Sequence, residues 1–133
     1  MYTASTESYA HPIVEYLNKP RRTIKAVLSR NHCLETHNGF HIKDLRIIKE
    51  FELKDTVIID NLVHSFAFQL DNGIPILEFL ANKKDRELYY LCDRLAEMAK
   101  SADIRKEIKK HYNITQILEH EESQFVWSGE SRY

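Results

Sequence analysis

The chain has 133 residues, 43% of them apolar and 29% charged, and a formal net charge of −1. That is the balance of one globular domain with a single core, and it excludes a disordered chain. No apolar run approaches the roughly 18 residues that span a bilayer, and Lys/Arg alternate with Asp/Glu, so neither a membrane nor a nucleic-acid backbone is an expected direct partner.

From the N-terminus, Tyr9, Ile13, Tyr16 and Leu17 form a helical stripe over residues 5–17, with Thr3, Ser5 and Thr6 as available N-caps. Pro12 either kinks this helix or starts it. After Lys19-Pro20-Arg21-Arg22 the stretch Thr23 to Leu28 is short, β-branched and apolar, which predicts a strand followed by a loop holding Arg30, His32 and Cys33. Asn38-Gly39 predicts a turn, and Ile42, Leu45 and Ile48 then recur at helical spacing, with Lys43 where strand gives way to helix or turn.

The continuous apolar run Thr56-Val57-Ile58-Ile59-Asp60 predicts a strand buried on both faces. In open α/β sheets the ligand crevice lies beyond the carboxyl ends of the strands, which makes Asp60 the leading site candidate; a helix cap or an Asx turn is the plain alternative. Gly73 to Ile76 predicts another short strand whose proline implies an edge or terminal position. Asp85 caps a predicted helix from Arg86 to Ala99, and Ser101 caps one carrying Ile104, Ile108 and Tyr112. The domain is expected to cover residues 1–118, with a polar tail over 119–133.

Cys33 and Cys92 are isolated thiols without CxxC spacing, which suits a reducing, intracellular compartment, nuclear or cytoplasmic. His32, Cys33, His37 and His41 lie close in sequence but lack the paired spacing of structural zinc ligands.

Five segments carry a family resemblance: Tyr2-Thr3-Ala4-Ser5 followed by Tyr9-Ala10-His11-Pro12; Leu28-Ser29-Arg30-Asn31-His32-Cys33; Ile42-Lys43-Asp44-Leu45; Val57-Ile58-Ile59-Asp60-Asn61; and Asn72-Gly73-Ile74-Pro75-Ile76. In order and spacing they resemble the small CTD phosphatases of the haloacid dehalogenase superfamily, from Tyr2 to about Met98. The resemblance implies an α/β, Rossmannoid three-layer fold and hydrolysis of phosphoserine or phosphothreonine through an aspartyl-phosphate. It also implies Mg²⁺ as cofactor and a phosphoprotein substrate such as the RNA polymerase II C-terminal tail. Under it, Thr3 hydrogen-bonds the transferring phosphoryl group, Lys43 neutralises its charge, Asp60 and Asn61 hold Mg²⁺ directly or through water, and Arg30 lies near the entering phosphopeptide. For Arg30 the plain alternative is a solvated surface arginine.

The residue types suit the task, because phosphoryl transfer is mostly positioning and stabilisation of charge on the equatorial oxygens. One departure stands out. The family's DxDxT motif, which supplies the nucleophile and the general acid/base on the first, central strand, has no counterpart in these 133 residues. The expectation is therefore an incomplete fold whose strands lose neighbours, at about 1 to 3 kcal/mol per buried unpaired backbone group. Functionally, it is a fragment of a phosphoprotein phosphatase. The alternatives are a catalytically inactive member that binds phosphopeptides or proteins, and a truncated product without function.

Overall fold

The computed structural model describes residues 1–120, so the predicted tail lies outside the described residues apart from its first two positions. Helix α1 spans Glu7–Asn18, with Thr6 as its extended N-cap residue and Ala10 and Val14 on the buried side. Pro12 lies inside this helix. Most other α1 positions, including Tyr9 and Tyr16, are exposed.

The predicted strand over residues 23–28 does not form. Residues 21–27 are irregular, and Leu28 alone pairs, in an isolated parallel bridge with Tyr2. A β-branched run becomes a strand only where a neighbour offers its backbone; here Leu28 makes the one bridge, while the Asn18 side chain takes the Thr23 and Ile24 amides and the N-terminal amine donates to Ala26 O. Ser29 then opens a 3-10 turn, Arg30–His32, and His32 holds both polar groups of its backbone: the His32 amide donates to Ser29 O at 2.9 Å while His32 Nδ1 accepts from the Ser29 amide at 3.1 Å.

Strands β1 (Leu34–Glu35) and β2 (His41–Ile42) form an antiparallel hairpin around the Asn38-Gly39 turn, where Gly39 takes φ 77°. The predicted helix beyond it is instead a 3-10 turn, Leu45–Ile47. Leu45 and Ile48 are three apart, and in a 3-10 turn residues i and i+3 eclipse, so this spacing serves the tighter helix equally well. Asp44 begins the turn and accepts the Arg46 amide at 3.0 Å, while Arg46 Nε and one terminal nitrogen grip the same carboxylate at 2.8 Å each.

β3 (Ile58–Asp60) and β4 (Gly73–Pro75) pair in parallel, with Ile58 opposite Gly73 and Asp60 opposite Pro75. Pro75 is thus terminal, where its lack of an amide hydrogen costs least. The crossover between the two strands is a 3-10 run, Val63–Asn72, broken by non-helical backbone at Phe66 and Gln69. α2 (Glu87–Met98) and α3 (Ile104–Tyr112) follow. Asp103, not Ser101, caps α3, accepting the Arg105 amide at 3.1 Å, and Ser101 instead hydrogen-bonds Asp103. Residues 114–120 are helical after a left-handed Asn113, so helix continues past Leu118.

Two apolar clusters hold these pieces together. Ile74 of β4 packs with Leu91, Met98, Ile104 and Ile108 of the last two helices, and Ile58 of β3 packs with Leu45, Phe66 and Ile114. Each fully buried aliphatic or aromatic side chain contributes about 1.5 to 3 kcal/mol. The result is a mixed α/β chain in which β3 and β4 carry both clusters. An apolar groove of about 830 Å³ separates the Tyr2–Leu28 bridge from β3, lined by Met1, Leu28, Ile47, Phe51, Val57 and Ile59 among others. Across that side β3 has no strand partner among the described residues.

Candidate functional site

Asp60 ends β3 with its side chain 8% exposed, and Lys43, 17 residues earlier, brings its 11% exposed side chain onto Asp60 Oδ2 as a buried ion pair. Asp60 Oδ1 accepts the Leu62 amide at 2.9 Å, so the Asx turn exists alongside the ion pair. The Lys43 backbone is held as firmly as its side chain. Its amide donates to Ser65 O at 2.7 Å, and its carbonyl accepts from Gln69 Nε2 at 2.7 Å.

Thr3 and Arg30 lie on two segments laced to each other. The Thr3 amide donates to Leu28 O at 2.8 Å, the Arg30 amide to Ser5 O at 2.9 Å, and Arg30 Nε to Ala4 O at 2.7 Å. Thr3 Oγ1 accepts the Ser5 amide at 3.1 Å, which still leaves the hydroxyl hydrogen to give elsewhere. Arg30 is exposed.

Cys33 lies beside the Thr3 backbone. Its thiol donates to Thr3 O at 3.8 Å. Burial pushes that thiol up from its ordinary pKa; Lys43 and Arg30 pull it down and Asp60 adds to the rise. The thiol therefore stays protonated and is a poor nucleophile. Asn61 is exposed, and with Asp60 it lines a cleft of about 340 Å³ whose wall includes Ile76, Leu77, Phe79 and Glu87.

Mg²⁺ prefers hard oxygen ligands in near-octahedral array, commonly one or two carboxylates completed by water and phosphate. Asp60 and Asn61 match that donor chemistry, but they supply one carboxylate, and its oxygens already receive Lys43 and the Leu62 amide. Among the described residues no group of three His, Cys, Asp or Glu side chains could enclose a metal ion. The pair fits Mg²⁺ as part of a donor set that other oxygens complete.

Sequence reasoning had no signal for Ser65 and Gln69, which sit in an unremarkable polar and apolar run. Only their tertiary neighbours mark them.

The sequence profile of the NLI interacting factor-like phosphatases matches residues 1–105. The chain belongs to this family. Among its curated relatives are CTD small phosphatase-like protein 2 of Dictyostelium discoideum, 36% identical over 118 residues, covering 89% of this chain and 20% of the relative. CTD small phosphatase-like protein 3 of Caenorhabditis elegans is 36% identical over 115 residues, 86% of this chain and 39% of the relative. The human carboxy-terminal domain RNA polymerase II polypeptide A small phosphatase 1 is 31% identical over 104 residues, 78% of this chain and 39% of the relative. The chain therefore spans between about a fifth and two-fifths of the length of these family members. Other relatives carry the name CTD nuclear envelope phosphatase, such as that of Danio rerio at 29% identity. Among the described residues no helix is long and apolar enough to cross a membrane.

Proposed function

We propose that this chain is the phosphoryl-binding part of a Mg²⁺-dependent phosphoserine/threonine protein phosphatase with a haloacid dehalogenase-like, three-layer fold. The observation that carries the reading is the buried Lys43–Asp60 pair at the carboxyl end of β3, with the Thr3 and Arg30 segments laced to each other by hydrogen bonds. In this reading Lys43 meets the phosphoryl charge as a compact cation, the Thr3 hydroxyl donates to a non-bridging oxygen, and the exposed Arg30 fork receives the phosphopeptide. Asp60 and Asn61 would hold Mg²⁺, which supplies charge neutralisation at the phosphoryl oxygens. The substrate is a phosphoprotein, with the RNA polymerase II tail as the first candidate because a human relative is named for it. The working compartment is intracellular, nuclear or cytoplasmic.

None of the residues gathered at this site is a free nucleophile: Asp60 is engaged by Lys43, and Cys33 is held protonated. A DxDxT strand supplies one, and the apolar lining of the groove beside the unpaired side of β3 suits an extended segment. The test is to join such a strand upstream of Met1 and measure hydrolysis of a phosphoserine peptide. Activity lost on Lys43→Ala is the expected outcome; a well-folded fusion without activity refutes the enzyme reading.

The same lack of a nucleophile favours a second reading, a binding module for phosphorylated partners. Calorimetry with phosphopeptides would support it if heat is released and lost on Lys43→Ala and Arg30→Ala. No heat at high peptide concentration would sink it.

A further inference from the structure

Lys43 and Asp44 follow β2 without strand pairing, yet the peptide groups around them are satisfied from one place, the crossover Val63–Asn72. Ser65 O takes the Lys43 amide hydrogen at 2.7 Å. Gln69 does two jobs with one side chain: Nε2 donates to Lys43 O at 2.7 Å and Oε1 accepts the Leu45 amide at 3.2 Å. Its carboxamide thus stands in for a peptide of a neighbouring strand. The crossover leaves helical geometry at this very residue, with φ −148° and ψ 62°, and the Gln69 side chain is buried. A carboxamide can donate to the carbonyl and accept from the amide at once. Asp60 ends β3 just before this crossover, so one short stretch of chain carries the carboxylate and also fixes the backbone from which its lysine projects.

We propose that Gln69 is a positioning residue for Lys43, its carboxamide fixing the backbone on either side of Asp44 so that the ammonium group is delivered to Asp60 and not to solvent. The inference rests on reading Lys43 as the cation of the phosphoryl site, but its test does not depend on activity.

Limiting acetic anhydride is applied to the 133-residue chain, and mass spectrometry gives the acetylation rate of Lys43 relative to Lys100, whose side chain is 70% exposed. Lys43 should be slow in the parent. Gln69→Leu should raise its relative rate by about tenfold, the factor that a lost hydrogen bond of ordinary strength puts on a local equilibrium. Asn72→Leu is the control, because Asn72 is a buried carboxamide of the same kind whose Nδ2 serves Leu53 O and Thr56 O at 2.6 and 2.7 Å, away from Lys43. It should lower stability and leave Lys43 slow. Gln69→Met, matched in length and unbranched, covers the case in which leucine cannot be packed. The proposal is overturned if Lys43 is already as fast as Lys100 in the parent, if neither Gln69 variant changes its rate, or if Asn72→Leu frees it equally. An inactive DxDxT fusion in which Lys43 keeps its protection would refute the phosphatase reading alone.

Discussion

Lys43→Met removes the cation and leaves the Asp60 carboxylate in its buried place. Removing one partner of a buried pair costs about 3 to 5 kcal/mol, because the other charge is left without compensation. Two features of this site lower the figure. Both side chains keep slight exposure, and the Leu62 amide still donates to Asp60 Oδ1 at 2.9 Å. An expected loss of about 2 to 4 kcal/mol follows, a large share of the roughly 5 to 15 kcal/mol that holds a domain folded. Urea denaturation of the parent, Lys43→Met, Asp60→Asn and the double variant measures it. Asp60→Asn keeps the oxygen that accepts from Leu62 but carries no charge, so the double variant should be more stable than the sum of the single losses by at least about 1 kcal/mol. The reasoning is refuted if Lys43→Met costs under about 1 kcal/mol, the value of a solvated pair, and the two losses simply add.

Gly73→Ala should destabilise the chain by about 1 to 3 kcal/mol through overpacking, since its methyl group would come within 2.1 Å of the fully buried Phe66 ring. Its backbone is ordinary, so an unchanged melting temperature would show that the ring can move aside. Tyr2 offers a pH test. Burial first, then the nearby Cys33, pushes its phenol up to about 12, while its hydroxyl donates to His32 O at 2.6 Å. The folded state therefore keeps a proton that the unfolded chain gives up near pH 10, and the stability so gained is present below pH ~10 and lost as pH rises towards 12. Tyr2→Phe should flatten that decline in thermal melts and remove the last tyrosine step from the ultraviolet titration; an unchanged titration would count against it.

How legible the fold was depended on whether a segment's pattern needed a distant neighbour. Helices α1, α2 and α3 are written locally, although α1 buries Ala10 and Val14 and leaves the expected stripe of Tyr9, Ile13, Tyr16 and Leu17 exposed. The run ending at Asp60 forms the expected strand, but only one face is buried, because no element among the described residues packs over Ile59, which is 38% exposed. The stretch 23–28 has the composition of a strand, but pairing is a property of two segments, and only Leu28 finds a partner. Ile42, Leu45 and Ile48 mislead for a different reason. Their spacing is common to α- and 3-10 geometry, and the Asp44 carboxylate, by taking the Arg46 amide, favours the tighter turn. For the site, the resemblance brought out Thr3, Arg30, Lys43, Asp60 and Asn61 as individual residues. That Lys43 and Asp60 neutralise each other, and that Ser65 and Gln69 hold the lysine's backbone, follows from the crossover's path, which no spacing in the chain announces.

The unpaired side of β3 has a consequence for how the chain behaves in solution. A strand edge flanked by exposed apolar side chains such as Ile59 and Phe51 is a template that any extended chain can join. At high concentration the nearest such chain is another copy, and edge-to-edge pairing is the expected result. Any segment that covered this edge would therefore raise solubility as well as fill the groove.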